Sequence, residues 1–191
     1  MGEIGVIRPD ERVELLNGRL IAMHPSGGPH LTVVSRIARH LMLALDAAAP
    51  RRAVVSVQNP VRLGDRSEPE PDVALLRPEA DNGRVPTAAD VLLVVEVADA
   101  TLAFDRGPKR RRYALAGIPE VWVVAAEARF AEVARGPLPD GAYAEVRRVG
   151  LDGHLTVAAF PDAPPLALAS LYDGWAPPEE PETAPDDQTG S

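Results

Sequence analysis

Two carboxylates and one lysine stand where they could share a chemical task. Asp72 opens the short apolar run 72–76, Glu96 is the only polar residue in the run 91–97, and Lys109 follows. Short, unbroken apolar runs rich in β-branched residues predict strands that are buried on both faces. A carboxylate in such a strand is costly unless a proton, a partner or a metal ion compensates its charge.

The segment between the two runs predicts that the carboxylates meet. Residues 77–90 are polar and contain Pro78, Gly83 and Pro86, which is typical of a loop. If the flanking strands pair as antiparallel neighbours, a loop centred near residue 84 brings Asp72 opposite Glu96. Adjacent carboxylates repel each other unless a cation intervenes, and oxygen ligands with water suit Mg²⁺. We therefore predict that Asp72 and Glu96 bind Mg²⁺, for which Mn²⁺ could substitute.

Such a metal could polarise a phosphodiester and help to generate hydroxide from water. Lys109, in the next helix, would stabilise the negative charge that develops. Glu14 could complete the metal shell, or it could be a surface residue of a hairpin. His30 could contact a phosphate or assist the base, or it could cap the helix that it opens.

A short basic run surrounds the lysine. Arg106, Arg110 and Arg112, with Arg111 between the last two, are predicted to contact phosphates of a nucleic acid beside Glu96. The alternative is a solvated helix face whose arginines form salt bridges with the protein's own acids.

The elements that must position these residues follow from periodicity and turn signals. Asn17-Gly18 predicts a β-hairpin over 13–23, and apolar residues at three- and four-residue spacing predict a helix over 30–47. Asp105-Arg106-Gly107-Pro108 predicts the start of a helix that runs from about 106 to 116 and ends at Gly117. The remaining predicted strands are 53–57 and 60–63 (or one interrupted strand over both), 120–124 (parallel to 91–97), 129–135, 142–149 and 154–157, and 166–171 is an apolar anchor. Together they predict an α/β (α+β) fold with a mixed central sheet flanked by helices.

The bulk composition bounds the protein. The 191 residues, 46% hydrophobic and 25% charged, predict one soluble domain over 1–174 and a disordered, acidic, proline-rich tail over 175–191. No apolar run approaches the roughly 20 residues that span a bilayer. The absence of cysteine excludes disulfides and thiolate metal sites and favours the cytoplasm. The tail holds five acids and no base, so the net charge of −8 becomes −8 + 5 = −3 without it, which does not exclude DNA as a partner.

Pro71-Asp72, Glu96 and a following lysine are similar to the PD-(D/E)xK nuclease superfamily. The chain resembles more closely a bacterial family of putative restriction endonucleases, formerly a domain of unknown function. The matching segments are 14–18, His30, 71–73, 95–97, 105–109 and 113–122, within roughly 10–172. The resemblance implies a restriction-endonuclease-like fold and a Mg²⁺-dependent endonuclease that hydrolyses DNA phosphodiester bonds.

The chain departs from the family pattern at three places. The motif would place a lysine at Ala98, and the resemblance implies that the family moves it onto the next helix, as Lys109. Ala125-Ala126 replaces the usual Asp-Pro pair, and Ala98-Asp99-Ala100-Thr101 replaces Ser-Pro-Ser-Thr.

These departures support an alternative, a catalytically inactive nuclease fold that binds DNA or another protein. Glycoside hydrolysis by paired carboxylates is weaker, because such sites usually carry aromatic platforms and this chain is only 4% aromatic. The sequence does not determine the oligomeric state, and a homodimer is possible, since many nucleases that cut both strands are dimers.

Overall fold

The computed structural model describes residues 13–22, 27–48, 51–98 and 100–175. The predicted tail lies outside these ranges except for Trp175, and so does Asp99. The strands are β1 (Val13–Leu16), β2 (Arg19–Ala22), β3 (Val54–Val57), β4 (Val73–Leu76), β5 (Val91–Ala98), β6 (Glu120–Ala125), β7 (Phe130–Pro137), β8 (Tyr143–Val149), β9 (His154–Leu155) and β10 (Leu166–Ala167). The helices are α1 (Gly28–Ala48), α2 (Leu102–Phe104) and α3 (Arg110–Leu115), with the π-helical segment Asp105–Lys109 between α2 and α3.

Six strands form one mixed sheet in the order β3-β4-β5-β6-β7-β8. Neighbouring strands are antiparallel except β5 and β6, which are parallel because the helical segment crosses over between them. The hairpin β1–β2 and the pair β9–β10 are separate two-stranded sheets. The predicted mixed sheet, its flanking helices and the N-terminal hairpin are confirmed.

The central sheet is covered on both faces. Ile37 and Leu41 of α1 pack with Trp122 in one buried cluster. Tyr113 of α3 and Ile118 belong to a second buried cluster. Because both faces of β5 lose contact with water, this strand has an almost continuous apolar sequence.

The register of β4 and β5 agrees with the prediction. Val73 lies opposite Val95, so one further residue along each strand brings Asp72 level with Glu96. The loop between the strands contains two 3₁₀ turns, Pro78–Ala80 and Ala88–Asp90, rather than only irregular chain.

Two predictions of local structure are wrong. Residues 60–63 are not a strand, since Arg62 forms only an isolated bridge with Thr87. The helical segment around Lys109 begins at Leu102, not near residue 106, and Pro108 lies inside it.

Proline lacks an N–H and its ring conflicts with the carbonyl four residues earlier, so an ordinary α-helix seldom accepts it. Here the wider π-helical turn surrounds Pro108, and the Arg110 N–H bonds back to the Asp105 carbonyl. The predicted end is confirmed, because α3 stops at Leu115 and Gly117 has φ of 78°. No helix in the described ranges is long and apolar enough to cross a membrane.

Candidate active site

Lys109 joins two buried carboxylates that lie far apart in the sequence. Its Nζ lies 3.1 Å from Glu96 Oε2 and 3.1 Å from Glu14 Oε2. The three side chains are only 4–6% exposed. The ammonium therefore compensates buried negative charge from β1 and from β5.

Backbone pairing with the segment before β4 places Glu14. Leu15 exchanges hydrogen bonds with Glu68, and the Gly18 N–H donates to the Arg66 carbonyl at 2.7 Å. These bonds fix the hairpin against the body of the protein. Glu14 therefore points inward and is 4% exposed, whereas a hairpin surface residue would face water.

Asp72 lies at the more open end of the same cluster. Its Oδ2 accepts a hydrogen bond from the Val97 N–H at 2.8 Å. His30 Nε2, near the start of α1, lies 3.1 Å from Oδ1 and 3.2 Å from Oδ2. The Gln58 Nε2 donates to Oδ1 over 3.4 Å. The structure thus brings together Glu14, His30, Asp72, Glu96 and Lys109.

Two further site residues were not identified from the sequence. Asp105, in the π-helical segment, is 5% exposed. Tyr113 is completely buried and donates its O–H to Glu96 Oε1 at 2.6 Å. Asp105, Lys109 and Tyr113 recur every four residues, which places side chains on one face of a helix. This four-residue spacing from Lys109 is the sequence pattern from which Asp105 and Tyr113 could have been identified.

The amino-acid composition also distinguishes Lys109, which is the only lysine among the 20 Lys and Arg residues of the chain. Arginine occupies every other basic position. A compact, strongly hydrated ammonium differs from a planar guanidinium in the geometry that it can serve.

Burial and crowding shift the pKa values of this cluster in consistent directions. Burial raises the pKa of Glu96 well above its ordinary value; Asp105 and Asp72 raise it further, while Lys109 and the Tyr113 hydrogen bond oppose the rise. Burial likewise raises the pKa of Asp105, against the effect of Lys109. Burial disfavours the charged form of Lys109, but the surrounding carboxylates outweigh it and raise the pKa of the ammonium. The cluster holds four buried carboxyl groups, those of Glu14, Asp72, Glu96 and Asp105, and one ammonium group, that of Lys109.

The donor set fits Mg²⁺. In the described part of the chain, no group of three or more His, Asp and Glu residues is arranged as a metal site. Mg²⁺ commonly takes only one or two carboxylates and completes its shell with waters and substrate oxygens. Asp72 and Glu96, which are level on neighbouring strands, meet that requirement, and a cation would offset the negative charge that this pair carries when both carboxyls are ionised.

The arginines near Lys109 have partners inside the protein. Glu132 of β7, itself buried, forms ion pairs with Arg106 and with Arg110, the latter at 2.8 Å. Arg112 donates to Ser67 Oγ at 2.8 Å and to the Leu63 carbonyl at 2.5 Å. The contacts of Arg106 and Arg110 match the alternative of internal salt bridges, whereas Arg112 bonds to a hydroxyl and a carbonyl, and phosphate binding by the three arginines stays a prediction.

Comparisons with known proteins agree with this geometry. The chain matches the Uma2 family, described as "Putative restriction endonuclease", over residues 3–169. It is also similar to the crystal structure of a putative nuclease belonging to DUF820 from Anabaena variabilis. That match has a TM-score of 0.72 and 15% sequence identity, and it covers 88% of this chain and 94% of the other.

The similarity in structure confirms the restriction-endonuclease-like fold. No curated protein gives a significant match. The family match spans most of the sequence and includes every site residue described above. The chain therefore belongs to the Uma2 family of putative restriction endonucleases.

Proposed function

We propose that this protein is a Mg²⁺-dependent endonuclease that hydrolyses phosphodiester bonds of DNA in the cytoplasm. The observation that carries the proposal is the buried ammonium of Lys109, 3.1 Å from the carboxylate of Glu96. Asp72 is level with Glu96, one residue beyond the Val73–Val95 pair of the neighbouring strands. Two carboxylates can hold a metal ion that activates water, and a lysine beside them can stabilise the charge that develops during phosphodiester hydrolysis.

Asp72 and Glu96 would hold Mg²⁺, which when bound would polarise the phosphodiester and make a water more acidic. Lys109 supplies positive charge where negative charge develops on the phosphate oxygens. Glu14 helps to hold the lysine side chain in place through a second ion pair at 3.1 Å. The Tyr113 hydroxyl and the Val97 N–H fix the two carboxylates in orientation.

Cleavage of supercoiled plasmid DNA in Mg²⁺ and in Mn²⁺ tests this function. Glu96→Gln removes a ligand charge, and Lys109→Arg keeps the charge but replaces a compact ammonium in a buried site by a larger, planar guanidinium. We expect each to lower the cleavage rate by about 10²-fold or more. Glu127→Gln, which changes an exposed acid, is the matched control. Cleavage that persists in Glu96→Gln would contradict the proposal.

The single lysine allows a test that does not depend on activity. Protein labelled with ¹⁵N-lysine gives one side-chain ammonium signal, which belongs to Lys109. We expect Mg²⁺ to shift this signal in the wild type but not in Asp72→Asn. An unchanged wild-type signal would favour the alternative, a nuclease fold that binds DNA or protein without turnover.

A further inference from the structure

The site has a closed end and a more open end. Glu14, Glu96 and Lys109 have side chains that are 4–6% exposed, whereas those of Asp72 and His30 are 11% and 12% exposed. Gln58, which follows β3, is also partly buried rather than enclosed. If the protein acts on DNA as proposed, a phosphate must enter past Asp72, and Gln58 lies beside that entrance.

Gln58 has a backbone conformation that is unusual for its residue type. Its φ is 50°, in the left-handed region where glycine and asparagine are the common occupants. The turn that contains it is well fixed, because the Asn59 side chain donates to the Val57 carbonyl and to Ser56 Oγ. Non-glycine residues held in this region are enriched at functional sites.

The conformation directs two donors of Gln58 at Asp72. The backbone N–H donates to the Asp72 carbonyl at 3.1 Å, and the side-chain Nε2 donates to Oδ1 at 3.4 Å. Within the described ranges, the carboxamide has no other hydrogen-bond partner. One N–H of Nε2 and the carbonyl oxygen therefore stay available at the open end.

We propose that Gln58 is a substrate-contacting residue whose second Nε2 hydrogen donates to a non-bridging phosphate oxygen of DNA. A neutral amide suits this position, because it can donate one Nε2 hydrogen to the Asp72 carboxylate and the other to the phosphate. Asp72 orients the carboxamide, so the phosphate contact requires no further ordering of a flexible side chain. This inference rests on the proposed function, since it names a contact to the same substrate.

The test separates DNA binding from metal binding and from folding. DNA affinity is measured by fluorescence anisotropy of a labelled duplex in Ca²⁺, and metal affinity by calorimetric titration with Mn²⁺ without DNA. The variants are Gln58→Gly, which accepts a φ of 50° without strain, and Gln58→Asn, which tolerates this conformation but has a shorter side chain. Asn17→Gly is the matched control, because Asn17 has φ of 53° in the hairpin.

We expect Gln58→Gly to weaken DNA binding by about tenfold or more, as loss of a hydrogen bond to a charged acceptor does. Gln58→Asn should show the same direction, and Mn²⁺ affinity should stay within about twofold in both. Asn17→Gly should bind DNA as the wild type does. If Gln58→Gly fails to fold, Gln58→Asn decides the outcome.

Unchanged DNA affinity would overturn the proposal and leave Gln58 as a turn residue. A parallel fall in Mn²⁺ affinity would also overturn it, because Gln58 would then act by positioning Asp72. A wild-type protein that binds DNA but never cleaves it contradicts the proposed activity, while the Gln58 contact is still judged by the binding data.

Discussion

Lys109→Met removes the buried ammonium and keeps a long, unbranched side chain. The Nζ lies 3.1 Å from Glu14 Oε2 and equally far from Glu96 Oε2. At an effective dielectric constant of about 20, two unit charges at that separation attract by roughly 5 kcal/mol, part of which desolvation offsets. Loss of one partner from a buried ion pair costs about 3–5 kcal/mol. We expect the free energy of unfolding to fall by that amount near pH 8.

The cost should shrink as the pH falls. Burial raises the pKa of Glu96 and of Asp105, so the folded state binds these protons more tightly than the unfolded state. The stability that the two protonated carboxyls contribute is fully present below their pKa values in the unfolded chain. It is lost as the pH rises through their pKa values in the folded protein. Since Lys109 lowers the pKa of Glu96, its removal raises that pKa further, and the variant loses more stability at high pH than the wild type.

Urea unfolding near pH 5 and near pH 8, followed by tryptophan fluorescence, measures both effects. Arg111→Met is the matched control, because Arg111 lies on α3 but is exposed. Its effect should stay within about 0.5 kcal/mol. An equal loss for Lys109→Met at both pH values, or no loss near pH 8, would refute the role of the ammonium as the partner of buried carboxylates.

Three other variants test neighbouring contacts. Tyr113→Phe should cost about 1.5–3 kcal/mol in urea unfolding, because it deletes the 2.6 Å hydrogen bond to the buried Glu96 carboxylate; an unchanged midpoint would argue against that bond. Asp90→Ala should cost about 1–2 kcal/mol near neutral pH, since Asp90 caps the turn before β5. The backbone hydrogen bond from Thr87 lowers the pKa of Asp90 to about 2, so this cost should vanish in unfolding curves as the pH falls from 3.8 through that value, and a pH-independent cost would contradict it. Glu132→Gln should strengthen DNA binding and steepen its salt dependence by releasing two arginines, and an unchanged salt slope would show that they do not reach phosphates.

Local patterns predicted the framework because each depends on neighbours in sequence. Asn17-Gly18 adopts the positive φ values that a tight hairpin needs, 53° and 80°. The polar segment between β4 and β5 set the register, so Asp72 and Glu96 could be paired without coordinates. The prediction that a helix begins near Pro108 was wrong for a local reason too. A proline is compatible with the first turn of a helix and also with a widened π-helical turn inside one.

The composition of the site was decided by contacts between distant segments. From the sequence, Glu14 could equally be a surface residue. In the structure, the hairpin packs on residues 66–68, which directs Glu14 toward Lys109. The partners of Arg106 and Arg110 come from β7, which the sequence near Lys109 does not reveal.

The amino-acid pattern thus determined that β5 is buried and that its one acid, Glu96, faces Asp72, because periodicity and turn chemistry act over a few residues. Only the tertiary structure decided what compensates that acid. Burial, the Lys109 ammonium and the Tyr113 hydroxyl act through distances of 2.6–3.1 Å, which exist only after the sheet and the helical segment have packed.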